Sequence, residues 1–386
     1  MQPLKIYINT LPITYKSGGI KTFLLKLLDS FAAQENKNFE YHLICSLHNK
    51  PIFLHYSKHC NFKLIVYDIK NAVAFKRIFF EQFRLNRFLK NQKNSILLNI
   101  CNVAVIKCSI PQITIIQAPL SIHALRKTLP GKYLSLSLMH RIYYDLLVMR
   151  SIDISAKTVA VSNYMKSFLS RKQDKIEVIY EGVDTEQFQE KANNKSLFEE
   201  PYILAVNTLF PYKNTDKIIK AYSIFKKKGF NHKLVIAGRD PDGKQISFLK
   251  KIARKHNVSE FVEFVGMVPH DEIPKLYQNA ILFIFLSSVE TFGLPILEAM
   301  SSGIPVIASN KMSIPEVVGN AGILVNPDDI NDIATRIEDV ATCTGLRKKM
   351  IADGNENIKL FDWNATAQKF VTLFVEVAKN KSAIYE

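Results

Sequence analysis

The apolar residues of this chain fall into short continuous runs, separated by longer stretches in which they return every three or four positions. Short runs of that kind are strands covered on both faces, the longer stretches are amphipathic helices, and their alternation predicts an α/β protein built on parallel sheets. In the first half the predicted strands are Leu4–Thr10, Tyr41–Cys45, Lys63–Tyr67, Ser95–Asn99, Gln112–Ile116, Thr158–Val161 and Ile176–Tyr180. A second series follows: Tyr202–Val206, Lys233–Ala237, Phe261–Phe264, Ile281–Leu286, Pro305–Ala308 and Gly322–Val325. From Asp329 onward the pattern is nearly all helical, ending in Thr366–Lys379. Between the two series, Asp184–Ser196 is polar with few apolar residues and reads as an interdomain linker. Two doubly wound domains are therefore expected, 1–187 and 188–364, with ligands bound outside the carboxyl ends of their strands.

Composition changes this picture little, but charge does. A length of 386 residues and a hydrophobic fraction of 47% supply two cores and exclude intrinsic disorder. The longest purely apolar run, Ala280–Leu286, is far too short to span a bilayer. Met1–Ile6 leads straight into a strand pattern instead of a basic segment followed by a long apolar one, so no secretory signal is read and a cytoplasmic protein is expected. Cys45, Cys60, Cys101, Cys108 and Cys343 are scattered, which argues against a zinc ribbon or a disulfide framework and suggests reduced, buried thiols.

The net charge of +16 is lopsided. Residues 1–190 hold 26 basic and 13 acidic side chains, a net of +13, against 25 and 22, a net of +3, in the rest. Such a field suits a nucleic acid, an anionic membrane surface or a phosphorylated substrate. The densest segment, Phe75–Lys90, interleaves aromatics and cations at helical spacing. Phe75, Phe79, Phe83, Leu85, Phe88 and Leu89 fall broadly on one side and Lys76, Arg77, Arg84, Arg87 and Lys90 spread over the other. Two readings fit: a membrane-surface helix, or a core-packed helix with a solvated basic face.

The most informative stretch is Ser287–Ala308, in which a strand end, a loop holding Glu290 and Gly293, and a helix entrance at Pro295 follow one another. Proline suits the first position of a helix, where its missing N–H would have no partner. Helix N–H groups near Phe292, Gly293 and Leu294, beside a glycine, make a place for phosphate. Glu298, expected in the first helical turn, could accept hydrogen bonds from ribose hydroxyls, and Glu290 precedes the helix. Either glutamate alone reads equally as a dipole-complementing or solvated residue; the ordered combination is more specific.

These residues resemble the retaining glycosyltransferases of family 4, whose hallmark is two glutamates separated by seven residues, matched by Glu290 and Glu298 around Thr291–Leu297. The likeness continues through Pro305–Asn310, Ile314–Gly319 and Ala321–Val325, and through Ala160–Lys166, Val178–Asp184 and Phe361–Asn364. The resemblance implies the GT-B fold, two facing Rossmann-like domains with the C-terminal helix, residues 365–386, crossing back to the first. It implies that Glu298 holds the donor ribose, that Glu290 contacts the transferred sugar, and that N–H groups from Phe292, Gly293 and Leu294, together with Thr291, hold donor oxygens. Base contacts are expected from backbone near Gly266, Met267 and Val268.

Leu204–Asn214 looks like the family's strand and Lys-Asn helix entrance, with Lys213 placed to neutralise the leaving diphosphate. The family often has glycine where this chain has Asn207, and a second cation where it has Thr208 or Tyr212; Thr208 can donate a hydrogen bond, and Arg239 is the candidate for the missing charge. Gly18 and Gly19, before the helix Lys21–Ala33, correspond to a glycine pair at the donor phosphates and acceptor entrance. Where many members have a histidine this chain has Gln117, which binds hydroxyls but is no base; His123 lies six residues on. Gln117 and His123 are the acceptor candidates.

The expected reaction is transfer of a sugar from a nucleotide sugar to a hydroxyl of a glycan or lipid-linked acceptor, by front-face attack with the departing phosphate as base. Glu290 and Lys213 are its catalytic candidates. No cofactor and no metal are expected, since lysine and amides can hold the diphosphate and no D-x-D signature is present. The expected setting is polysaccharide or lipopolysaccharide biosynthesis, peripheral on an anionic cytoplasmic membrane face, without nucleic acid. Competing readings are a GT-B-like sugar-nucleotide epimerase, a phosphorylase lacking an evident pyridoxal-phosphate lysine motif, and a non-catalytic basic binding protein on a degenerate transferase fold.

Overall fold

The computed structural model describes residues 2–15, 17–69, 74–117, 138–169, 173–190, 198, 200–269 and 272–385. The chain forms two compact units: one runs to Glu181 and takes back the C-terminal segment from Trp363, the other is Gly182–Asp362.

The first unit is built on seven strands, β1 (Leu4–Asn9), β2 (Phe39–Ser46), β3 (Phe62–Tyr67), β4 (Ser95–Asn99), β5 (Gln112–Ile116), β6 (Lys157–Ala160) and β7 (Ile176–Val178). They lie in the order β3-β2-β1-β4-β5-β6-β7 and every pairing is parallel. All five residues of β4 and of β5 are buried, as expected for strands covered by helices on both faces. The helix Trp363–Tyr385 belongs to this unit and packs on the helix Gly19–Ala33 through Phe23 against Trp363 (5.6 Å between ring centroids) and Phe31 against Phe374 (6.0 Å). Thr366 donates to the Tyr180 carbonyl (2.8 Å) and Lys157 pairs with Glu376 (2.9 Å).

The second unit has six strands, β8 (Tyr202–Val206), β9 (Lys233–Ala237), β10 (Val262–Gly266), β11 (Ala280–Phe285), β12 (Val306–Ser309) and β13 (Ile323–Val325), in the parallel order β10-β9-β8-β11-β12-β13. Its core joins Ile203, Ala205, Leu282 and Ile284 of the central strands to Ile218, Tyr222, Phe225, Ile333 and Ile337 of flanking helices. Within each sheet the winding reverses at one place, between β1 and β4 and between β8 and β11. Loops leaving the strand ends there diverge to opposite faces and open a crevice.

Three expectations are corrected. The stretch read as a linker is in part a helix, Thr185–Gln189, capped by the Asp184 carboxylate, which accepts from the Gln187 N–H (3.2 Å). Its Phe188 is buried against Tyr277, and Gln278 donates to the Phe188 and Glu190 carbonyls. One apolar side chain at the right phase anchored an otherwise polar segment; residues 191–197 lie outside the described ones. Second, Cys60 and Cys343 are exposed thiols. Third, the segment Ala74–Leu89 does not gather its aromatics on one side: a π turn at Glu81–Leu85 interrupts the α-helix. The extra residue in that turn shifts the helical phase, so Phe80, Glu81, Leu85 and Leu89 are buried while Phe79 and Phe83 face solvent. Phe75 carries no described side chain.

Candidate functional site

The site forms where the loop leaving β8 meets the loop leaving β11. After Val206 the chain turns through a short 3-10 segment, Pro211–Lys213, and Asn214 takes a left-handed conformation (φ 55°) before the helix Thr215–Lys227. Asn214 Nδ2 donates to the Leu286 carbonyl (2.7 Å) and to Ser288 Oγ (2.6 Å), and the Ser288 N–H donates to the Tyr212 carbonyl (2.8 Å). These bonds lock the two loops in register and bring Lys213 Nζ onto Glu290 Oε1 in a mostly buried ion pair. The ammonium also lies 5.3 Å from the Phe285 ring and 5.5 Å from the Tyr212 ring, within cation–π reach. Burial, reinforced by the Glu290 charge, pushes the Tyr212 hydroxyl upward. An ammonium has three donors. Glu290 engages one, which leaves the others to meet a further anion.

Beyond Glu290 the loop is held from behind: Ser313 Oγ donates to the carbonyls of Glu290 and Phe292, both at 3.0 Å. Phe292 is buried with its ring edge-on to Phe361 (5.7 Å), and Thr291 is half-buried. Gly293, at φ 128°, precedes the helix Leu294–Ser301. Leu294 is already its first residue, so Pro295 is second and Glu298 lies beyond the first turn, one step later than expected. The reason is that none of the first four N–H groups of a helix has an intrahelical acceptor, so proline fits at the second position as well as the first. Those groups and the positive helix end remain on the Gly293 side.

Glu298 keeps some solvent contact, but its carboxyl is enclosed: burial pushes it from its ordinary 4.5 up to about 7, against the opposing pull of the Tyr277 hydroxyl. Tyr277 donates to Glu298 Oε2 at 3.0 Å, with the Pro295 carbonyl at 3.4 Å. A carboxylate so placed gains from any further hydrogen-bond donor that approaches it.

The neighbouring strand ends complete one rim. The Asn207 N–H donates to the Ala237 carbonyl (3.0 Å), the Leu209 N–H to the Arg239 carbonyl (2.9 Å) and the Gly238 N–H to the Gly266 carbonyl (2.7 Å). Gly238 approaches so closely that a Cβ would sit 1.6 Å from the Asn207 carbonyl oxygen. Asn207 Oδ1 is buried and finds no hydrogen-bond partner among the described residues. Thr208 is half-buried, Arg239 is exposed and Val268 is half-buried just past β10. Arg239 therefore enters the rim through its backbone, with its side chain in solvent.

In the first unit, Gly18 is the residue before the helix Gly19–Ala33, which has no side-chain cap. Neither Gly18 nor Gly19 has a positive φ, and a Cβ on either would meet nothing within 4 Å. The loop leading to them is fixed by the fully buried Asn49, whose Nδ2 donates to the carbonyls of Thr10 (2.8 Å) and Ile13 (3.0 Å). Gln117, just past β5, is buried, and its N–H donates to Asn102 Oδ1 (2.9 Å). His123 lies outside the described residues. Among the described residues no three His, Cys, Asp or Glu side chains converge as a metal would require.

The site residues that single-residue reasoning missed are Asn214, Tyr277, Ser313 and Asn207. Asn207 and Asn214 left a signal, their places in the Leu204–Asn214 motif; Tyr277 and Ser313 act through contacts distant in sequence.

Residues 186–357 match the family model of glycosyl transferases group 1. That segment of the second unit is a glycosyl transferases group 1 region. The group 1 match covers every residue of the β8 and β11 loops described above. O-antigen chain mannosyltransferase B of Escherichia coli is 34% identical over 169 residues, 43% of this chain and 44% of that protein. O-antigen chain mannosyltransferase RfbU of Salmonella typhimurium is 28% identical over 208 residues, 53% of this chain and 56% of that protein. The chain thus spans about half the length of these curated relatives. In fold the likeness runs throughout: sucrose-phosphate synthase of Thermosynechococcus elongatus superposes with a TM-score of 0.78 at 17% identity, covering 97% of this chain and 98% of that one. The architecture is GT-B.

Proposed function

We propose that this chain is a retaining, metal-independent hexosyltransferase that moves a sugar from a nucleotide sugar to a hydroxyl of a glycan or lipid-linked acceptor. The observation that carries the reading is the Lys213–Glu290 pair set beside the Leu294–Ser301 helix entrance and Glu298. Glu298, already holding the Tyr277 donor, accepts from ribose hydroxyls. The helix entrance and the two ammonium donors that Glu290 leaves take the diphosphate, while Glu290, Thr291 and Phe292 line the transferred sugar. Asn207 Oδ1 supplies an acceptor that a ligand donor would satisfy. Thr208 and Val268 contribute further donor contacts.

Charge on the leaving phosphate grows as the anomeric carbon–oxygen bond breaks, and preorganised cations and amides lower a barrier most where charge develops. In this reading the acceptor oxygen attacks the same face, its proton passes to the departing phosphate oxygen, and the configuration is kept. Lysine and backbone amides hold the diphosphate, so the reading needs no metal. Mannose is the first sugar to try, because both curated relatives named above are mannosyltransferases of O-antigen chains. Among the described residues no helix is long and apolar enough to cross a membrane; the reading places the protein peripherally on the cytoplasmic membrane face, in polysaccharide or lipopolysaccharide assembly.

The test is mass spectrometry of products after incubation with mixed nucleotide sugars and a membrane lipid extract, followed by NMR of the new anomeric centre. A glycosylated product of retained configuration, absent with Glu298→Ala, supports the reading. Nucleic-acid binding without saturable nucleotide-sugar binding would overturn it, and inversion would overturn the front-face step.

A further inference from the structure

The π turn at Glu81–Leu85 leaves an apolar surface that the fold does not use. Phe79 is 57% and Phe83 62% exposed, and their rings lie against each other with centroids 4.5 Å apart. Beside them Gln82 bridges to the next loop, donating to the Ala104 carbonyl (3.0 Å) and accepting from the Ile106 N–H (2.7 Å). That bridge holds Ile106, 39% exposed, and the exposed Lys107 next to the helix. Lys76, Arg84, Arg87 and Lys90 are all exposed along the same segment. Its one carboxylate, Glu81, is turned inward, where it accepts from Asn9 Nδ2 (3.1 Å) and lies 3.7 Å from Arg77. The outer surface therefore presents two aromatic rings and an isoleucine among five cations, with no acidic side chain from this helix to offset them.

We propose that Phe79, Phe83 and Ile106 form a wedge that enters the interface of an anionic bilayer, with Lys76, Arg84, Arg87, Lys90 and Lys107 seated on lipid phosphates. Large apolar side chains flanked by cations are what an interfacial helix needs, since burial in the acyl boundary and attraction to anionic headgroups then act together. A bilayer fits better than a nucleic acid: the two rings close on each other, whereas stacking on bases requires them open and separate. The inference does not depend on the transferase reading, because none of these residues touches the Lys213–Glu290 site.

The experiment is flotation of the full chain with vesicles of phosphatidylcholine alone and of phosphatidylcholine mixed with phosphatidylglycerol, at low and high salt. Binding is expected only to the anionic vesicles and is expected to weaken with salt. Replacing Arg84, Arg87 and Lys90 with glutamine should weaken it about 100-fold, roughly fivefold per cation. Phe79→Ser with Phe83→Ser should weaken it about tenfold or more. Phe79→Trp should restore binding, and its fluorescence should be quenched by brominated lipid. Nucleotide-sugar binding in solution should be unchanged in all of these variants. Equal binding to neutral vesicles, full binding by the serine variant, an unquenched tryptophan, or retention on RNA without vesicle binding would each overturn the proposal.

Discussion

The two units wind their sheets in the same order about the same kind of switch point, yet the two crevices are built differently. In the second unit the crevice is occupied by the protein's own contacts: Gly238 presses on the Asn207 carbonyl, Asn214 ties two loops, and Lys213 meets Glu290. In the first unit Gly18 and Gly19 stand at the corresponding place with open space where a side chain would be. Gly238 is thus demanded by the chain itself, at φ 143° and against backbone. Among the described residues nothing comes within 4 Å of a Cβ at either position, so packing does not require glycine there. The difference separates a crevice tied up by the chain's own contacts from an open surface in the unit that holds most of residues 1–190, whose net charge is +13.

The largest effect is expected from Lys213→Gln, which should cut turnover about 100- to 1,000-fold if the pair stabilises a leaving diphosphate. Steady-state kinetics on the folded variant check it, and a few-fold change would remove Lys213 from the chemistry. Next comes Gly238→Ala, where a Cβ 1.6 Å from a carbonyl oxygen must displace backbone. Denaturant unfolding should show a loss of about 3 kcal/mol or more. Glu298→Ala should weaken nucleotide-sugar binding about 10- to 100-fold, the worth of charged hydrogen bonds.

Glu298 also predicts a pH signature. With its carboxyl raised from 4.5 to about 7, the folded chain holds a proton that the unfolded chain has released across that window. Stability therefore falls as pH rises through it, and the penalty is complete above about pH 7. Glu298→Gln should melt close to the parent at pH 5 and at a higher temperature at pH 8. In calorimetry, donor binding by the parent should release protons near neutrality. The smallest effect is expected at Gly18→Ala: stability within about 0.5 kcal/mol of the parent, with a rise in KM for donor or acceptor that stability does not explain.

Much of this was legible in the chain before its structure, and the limits have physical causes. The thirteen strands among the described residues lie where mostly apolar runs predicted them, because a strand covered on both faces is predominantly apolar. Glu290, Glu298 and Lys213 stood out because helix entrances carry local signals: a glycine, a proline and a lysine-asparagine pair. The role of Tyr277 was hidden, since its hydroxyl reaches a carboxylate 21 residues away and any buried tyrosine looks the same in sequence. Ser313, 23 residues from Glu290, was hidden likewise. The outward turn of Phe79 and Phe83 was invisible for another reason: a 3.6-residue period has no place for a π turn, and one extra residue moves everything beyond it to a different face.

If the crevice between β8 and β11 holds a nucleotide sugar by its ribose and diphosphate, cutting either contact must weaken binding. Titration calorimetry of nucleotide sugars into the parent, Glu298→Ala and Lys213→Gln reads this. One saturable site is expected in the parent, weakened in both variants while their melting curves remain cooperative; undiminished binding in both would rule out a nucleotide sugar held by Glu298 and Lys213.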